Sequence, residues 1–384
     1  MSGLIKSTTR KKTKANGRSI PLYESIVRQL AEEMSSLRPG DRFSTLDDLC
    51  ERFQTSKITA RRAISELARL GYVTAKPGVG LLVSDPREQT QTKDICFLTN
   101  GIHAGGAMPL LLQGIERVAR QEGYHLLLNN TEADAELNHL SVEWMLEHSV
   151  AGTVISLPHN MQECDWLHEV LTRIEAHRIP AVLVDSRFIH GESKVPYVVA
   201  ENYEGAMQAV EHLTQLGHRR IAAINESYNS ACLERKEGFR GGLLKYGADY
   251  DPKLFPDFYI HEEYERCAEA IDYFLGLKAP PTAIFCNHDL IAQKCILLLQ
   301  ERGVRVPEDI SIVGFDDLPF SEHCRPPLTT IRQPLIEIGA EAAALLLHRI
   351  RVDFDYRPCK RLPTRLILRR STAPCPGQGG AFTT

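Results

Sequence analysis

From Asp94 to Phe315 short apolar runs alternate with longer stretches in which apolar residues recur every three or four positions. The runs at 95–98, 124–128, 153–157, 181–184, 197–200, 220–224, 282–285 and 310–315 have the length of strands. Residues 107–122, 134–148, 161–177, 203–216, 231–246, 262–276 and 289–302, lying between them, have the period of helices. This rhythm predicts parallel sheets with helices on both faces. The strands fit one large sheet, but the polar, glycine-containing break SRFIHGESKV after Asp185 predicts two.

Upstream the period is helical only. After Pro21, a favourable first helical residue, Tyr23, Ile26, Val27, Leu30 and Met34 share a face, and Arg38-Pro39-Gly40 ends it. Thr45 and Asp48 have the spacing of a capping box ahead of Leu46, Leu49, Cys50 and Phe53, a second, short helix. Ser56 is the N-cap of a third, which Gly71 stops. Its apolar face is Ala60, Ala63, Ile64, Leu67 and Leu70; Lys57, Arg61 and Ser65 form a row on the other side, flanked by Arg62 and Arg69. Two short helices joined by a tight turn, the second one basic, match a helix-turn-helix, and a solvated basic face is the alternative. Residues 72–76 and 81–84 then read as two strands around Pro77-Gly78, which suits a type II turn, so a hairpin wing is expected.

Charge sharpens this division. Met1–Glu88 carries 16 Lys and Arg against 10 Asp and Glu, and the rest of the 384 residues carries 29 against 39. A basic head on an acidic body points to a polyanionic partner for the head. Residues 1–19 read as a disordered basic tail, 85–93 as a polar linker and 373–384 as a second disordered tail. The ten cysteines show no CxxC pair and no His/Cys cluster at metal spacing, so no metal site and a reduced compartment are expected. With no apolar h-region at the N-terminus and no run of about 18 apolar residues, neither secretion nor membrane insertion is expected, and a cytoplasmic location is. No GxGxxG follows a strand, and neither GxxxxGK[ST] nor GxSxG is present, so no enzyme activity and no cofactor are expected.

The run ending at Phe315 stops at Asp316 and Asp317, at the carboxyl end of a strand, where open α/β sheets bind ligands. Turn capping is the competing role for these carboxylates. Continued into Pro326-Pro327-Leu328-Thr329-Thr330-Ile331-Arg332-Gln333-Pro334, the stretch resembles the lactose-repressor (LacI) family of sugar-responsive transcription factors. So do Leu112-Gln113-Gly114-Ile115-Glu116, Gly217-His218-Arg219-Arg220-Ile221-Ala222, Arg235 with Gly238-Phe239, and Leu362-Pro363-Thr364-Arg365-Leu366. The resemblance spans about residues 94–372. It implies a two-lobed, periplasmic-binding-protein-like domain, one lobe of about 94–199 plus 334–354 and the other of about 200–333 plus 361–372. Residues 20–84 are similar to the winged helix-turn-helix of the GntR family, and the joint layout resembles arabinose-repressor-like regulators. The fold class is therefore α/β, a winged helix-turn-helix followed by parallel sheets flanked by helices.

Carried over by position, the resemblance implies DNA contacts at Lys57, Thr59, Arg61, Arg62 and Gly78, and effector contacts at Asp185, Arg235, His288 and Asp316. Carboxylates that accept from vicinal hydroxyls beside a guanidinium that donates a fixed fork suit a sugar. There are departures. Asp47 replaces the second-helix Arg of the GntR family, His288 replaces the usual Asn, and Met108 with Ala107 stand where an aromatic pair often stacks on a sugar ring. The implied function is a homodimeric repressor of double-stranded operator DNA, controlled by a small carbohydrate-like effector. A transport-type solute-binding protein would share the body without needing the head; a sugar-acting α/β enzyme would turn over candidate sugars.

Overall fold

The computed structural model describes residues 22–376 apart from 35–36, 39, 70, 77–79, 85–91, 100, 103–105, 133, 149, 157–163, 189–193, 226–228 and 257–263. The chain divides into two compact units, Met1–Gln91 and Thr92–Thr384. The expected first tail lies outside the described residues. Most of the expected linker does too; Lys93 already accepts the His125 N–H through its carbonyl at 2.6 Å.

The first unit is built on α1 (Leu22–Met34), α2 (Leu46–Arg52) and α3 (Lys57–Arg69). Thr45 and Asp48 close the capping box: the Asp48 N–H donates to the Thr45 hydroxyl at 3.2 Å, and the Thr45 N–H to the Asp48 carboxylate at 2.9 Å. Ile26, Leu30 and Met34 of α1 meet Leu49 of α2 and Ala60, Ala63 and Leu67 of α3 in one core. Each large apolar side chain buried this way contributes about 1.5–3 kcal/mol, the main support of so small a unit. Strands β1 (Val73–Lys76) and β2 (Gly80–Val83) pair antiparallel, Val73 opposite Val83 and Lys76 opposite Gly80, forming the wing. Its tip, with Gly78, lies outside the described residues.

The second unit holds two sheets, as the polar break predicts. The first lobe carries β3 (Asp94–Thr99), β4 (His125–Asn130), β5 (Gly152–Ser156), β6 (Ala181–Val184), β7 (Tyr197–Ala200) and β12 (Lys360–Leu362), in the order β12-β7-β6-β5-β3-β4. The second carries β8 (Ile221–Ile224), β9 (Ala283–Cys286), β10 (Ser311–Asp316), β11 (Thr329–Arg332) and β13 (Arg365–Ile367), in the order β13-β11-β10-β9-β8. All pairings are parallel except β11 with β13. In chain order the covering helices are α4 (Met108–Gln121), α5 (Ala135–Glu147), α6 (Cys164–Ala176), α7 (Asn202–Gln215), α8 (Ser230–Tyr246), α9 (Tyr264–Leu275), α10 (Asp289–Glu301) and α11 (Leu335–Arg351). Every residue of β5, β6, β8, β9 and β10 is buried, the signature of strands covered on both faces. Helix α11 returns to the first lobe and lies backbone-to-backbone on α4. A Cβ on Gly114 would sit 2.0 Å from the Ile336 carbonyl oxygen, and one on Gly339 2.1 Å from that of Leu111.

The chain crosses between lobes after β7, after β11 and after β12. Two expected boundaries move. The resemblance puts residues 361–362 in the second lobe, but Arg361 pairs with Val199 and Leu362 with Ala200 in the first, so the last crossing falls at Pro363-Thr364. The tail expected from 373 is anchored at its start. The Ala373 carbonyl accepts from His218 Nε2 at 3.0 Å, its N–H donates to Ser311 Oγ at 3.0 Å, and the Cys375 N–H donates to the Leu216 carbonyl at 2.9 Å. Backbone hydrogen bonding holds these residues to the second lobe where composition alone predicts disorder.

Candidate functional site

β10 runs between β9 and β11, and its last residue, Asp316, has φ +113°; Asp317 follows at +58°. In the first lobe Asp185, just after β6, has φ +69°. These are three of the six non-glycine residues with positive φ among the described residues, and all three stand at carboxyl ends of parallel strands. Left-handed backbone at non-glycine residues is strained and concentrates at functional sites.

Asp185 and Asp316 are both buried, and the charge of Asp185 bears on Asp316 from the other lobe. Burial pushes the Asp316 carboxyl above the usual range, against the opposing pull of Arg235 and His288. Its Oδ1 accepts from Gln333 Nε2 at 2.6 Å and lies 3.3 Å from Arg235 Nη1. Arg235 is itself 5% exposed. Its Nε donates to Asn202 Oδ1 at 2.8 Å, its Nη1 to the Asn287 carbonyl at 2.5 Å, and its guanidinium lies 3.9 Å from the centre of the Phe315 ring. The fork expected to be open for a ligand is thus largely engaged as a brace, with Nη2 left over. Asp317 takes no part in the cleft: Arg332 and Arg369 hold its carboxylate at 2.5 and 2.6 Å.

His288 caps α10. Its Nδ1 accepts the Ile291 N–H at 3.4 Å, which puts the proton of the neutral ring on Nε2 and makes that edge a donor. Met108 and Ala107 stand at the start of α4, Met108 buried.

Sequence reasoning overlooked Asp289. It is fully buried, and its carboxylate accepts from the Thr330 hydroxyl at 2.5 Å, the Ser321 hydroxyl at 2.6 Å and the Leu318 N–H at 2.9 Å. Burial, helped by the charge of Asp316, raises its pKa to about 7 against those three donors. It ties β11 and the loop after Asp316 to α10. Gly314 makes this possible: a Cβ there would lie 2.3 Å from Asp289 Oδ1.

Three further rim residues went unnoticed: Ser186, Asn225 and Gln333. Ser186 Oγ, both side-chain amide atoms of Asn225 and Gln333 Oε1 are buried without a hydrogen-bond partner among the described residues. Asn225 follows a strand just as Asp316 ends one, so the rule that drew attention to Asp316 covered it equally.

On the head, Lys57 and Arg61 are exposed on α3, and Arg61 makes no ion pair among the described residues. Lys57 Nζ lies 2.7 Å from Asp47 Oδ1, so the departing aspartate occupies the lysine. Thr59 is half-buried, its N–H donating to Ser56 Oγ at 3.2 Å and its hydroxyl lying 3.0 Å from the same atom. Arg62 lies over the Tyr23 ring of α1 at 4.0 Å. Structure therefore separates Arg61, pointing at solvent, from Arg62, which braces α1 against α3.

Residues 22–83 match the bacterial regulatory proteins of the gntR family, and residues 210–372 match the periplasmic binding protein-like domain. The chain is 29% identical to the arabinose metabolism transcriptional repressor of Geobacillus stearothermophilus over 92% of its own length and 98% of that protein's. It is 32% identical to the HTH-type transcriptional repressor PurR of Aliivibrio fischeri over 68% of its length and 76% of the relative's. Among solved structures, a CelR–cellobiose complex superposes with a TM-score of 0.65 at 26% identity, covering 83% of this chain and 92% of that one. A LacI family regulator from Enterococcus faecium with bound ribose gives 0.63 at 28% identity, over 73% and 99%.

Proposed function

Since this chain belongs to the family of HTH-type transcriptional repressors with a periplasmic-binding-protein-like body, we propose that it is a homodimer that binds a twofold operator and is released by a neutral carbohydrate. The observation that carries the effector class is the pairing of buried Asp185 and Asp316 at the strand ends of opposite lobes, with Arg235 beside Asp316. Carboxylates flanked by a guanidinium accept hydroxyl donors, and a ring lying between two lobes gives each lobe a share of its hydroxyls. The dimer follows from the DNA: helix-turn-helix proteins read half-sites about one helical turn apart, so twofold operators call for twofold proteins.

Lys57, Thr59, Arg61 and Gly78 form the proposed DNA face, with Arg61 as the residue that reads bases and Arg62 set apart from it by its contact with Tyr23 of α1. No catalytic role is assigned to the cleft carboxylates: Asp316 accepts from Gln333 and lies beside Arg235. Among the described residues no helix is long and apolar enough to cross a membrane, and no group of three or more His, Cys, Asp or Glu could hold a metal ion. The test is calorimetric titration of the full chain with arabinose, ribose and cellobiose, alongside sedimentation to fix its oligomeric state. Saturable heat from one of them, with the sugar recovered unchanged, supports a sensor. Recovery of a converted product would favour an enzyme instead.

A further inference from the structure

We infer that Asn225 is a specificity-determining residue of the effector site, its side-chain amide meeting two adjacent hydroxyls, one as donor and one as acceptor. This rests on the carbohydrate reading and deepens it.

Asn225 is 1% exposed, and neither Nδ2 nor Oδ1 has a hydrogen-bond partner among the described residues. Buried polar groups are almost always paired, and an amide that loses both partners pays the desolvation penalty of each. The register explains where a partner would come from. Ile224 lies opposite Cys286, so Asn225 stands beside Asn287, whose carbonyl holds Arg235, and next to His288 at the start of α10. It thus shares a rim with Asp316, two strands across.

A second unpaired group approaches from the other lobe. Ser186, 1% exposed, follows Asp185, and its Oγ also lacks a partner among the described residues. The next residue, Arg187, donates its backbone N–H to Ser230 Oγ at 2.8 Å, which fastens this segment to the start of α8. Since α8 begins five residues after Asn225, the segment that carries Ser186 is fastened to the second lobe five residues along the chain from Asn225.

Chemistry narrows what can fill it. The amide offers donors at Nδ2 and an acceptor at Oδ1, so its complement is an acceptor beside a donor. Vicinal hydroxyls of a sugar provide both. A phosphate provides only acceptors and would place negative oxygen against Oδ1, so a phosphorylated carbon is excluded from this edge. An apolar ligand would satisfy neither atom.

The test compares the full chain with Asn225→Leu, a replacement of similar volume without polar atoms, using arabinose, ribose and cellobiose as probes. In extensively dialysed protein the variant should melt higher, by roughly 2–4 °C, because two unpaired buried atoms are gone. For a sugar that binds the parent, the concentration needed to produce the same thermal shift should rise at least tenfold in the variant, and a monodeoxy form of that sugar should lose the same factor on the parent but not on the variant. A lower melting temperature for the dialysed variant, or a sugar-induced shift equal to the parent's, would overturn the inference. If none of the sugars shifts the parent, the carbohydrate reading fails and this inference with it, whereas a shift on the parent that survives in Asn225→Leu defeats the inference alone.

Discussion

Glu234 of α8 accepts both arms of the Arg361 guanidinium, at 2.9 Å each, although Arg361 lies on β12 of the other lobe. Arg187, at the end of the first-lobe segment after β6, adds a third bond through Nε at 3.0 Å. Glu234 immediately precedes Arg235, so one turn of α8 carries both the ion pairs that join the lobes and the brace on Asp316. Burial pushes the Glu234 carboxyl up, but the hydrogen bonds and charges of Arg361 and Arg187 outweigh it and leave it below the ordinary value.

Removing that carboxylate should loosen the body. Both arginines are more than a third exposed, so solvent screening limits the loss, and Glu234→Gln should cost about 1–2 kcal/mol in urea unfolding. A carboxyl with a depressed folded pKa contributes stability above its unfolded pKa and loses it as pH falls through the folded one. The difference between the two proteins should therefore be present at pH 7 and be lost as pH falls through the depressed folded value. Equal stability at pH 7 would show that the three hydrogen bonds contribute nothing.

Asp289 has the opposite sign. Its folded pKa, raised to about 7, means that the folded body holds a proton the unfolded chain has released, so this group makes stability fall as pH rises from about 4 to 7. Asp289→Asn should flatten that slope. It should also destabilise by about 1–3 kcal/mol, because one amide cannot accept from Leu318, Ser321 and Thr330 together. Melting temperatures at pH 5 and pH 7.5 for both proteins check the sign.

On the head, neighbouring arginines should respond differently. Arg61→Ala should relax sequence preference and cost about 1–3 kcal/mol of operator affinity if the side chain forks onto a base. Arg62→Ala loses the contact with Tyr23, worth about 0.5–1 kcal/mol at a solvent-facing site, and should show as a lower melting temperature of the head. Footprinting of both variants, with calorimetry of the isolated unfolding transitions, separates them. Reversed behaviour would exchange their roles.

Asp47 holds Lys57, and on the proposed DNA face the acid would stand against the same phosphates as the lysine. Asp47→Ala should free the lysine and remove a repelling charge, so DNA binding should tighten and the salt dependence should steepen by about one unit of log slope. An unchanged slope would place the pair off the DNA face.

Much of this architecture can be read from periodicity, because buried parallel strands are nearly continuous apolar runs and the helices keep a 3.6-residue period. Strand 181–184 and strand 197–200 match residue for residue. The parts that escaped are those where the signal is short or shared. β12 and β13 are three residues each, too short for alternation to register, which is why the last crossing was misplaced. The tail after 372 looks disordered by composition, yet backbone bonds to His218, Ser311 and Leu216 fix its start. In the site, strand ends gave Asp185 and Asp316, but whether a polar side chain is paired depends on neighbours far along the chain. Arg235 therefore read as an open fork when Asn202 and Asn287 occupy it, and Asn225 went unnoticed because nothing local marks an amide as unpaired.

A sugar bound in the body should set the affinity of the head for DNA, and fluorescence anisotropy reads that coupling. The full chain is titrated onto a labelled duplex from the region upstream of its own gene, with and without the sugar that gives calorimetric heat. Allosteric couplings of about 1–3 kcal/mol correspond to affinity changes of roughly 5–150-fold. Operator binding should weaken within that range when the sugar is added, and the weakening should be absent when the duplex sequence is scrambled. Operator affinity that stays the same at saturating sugar would contradict it.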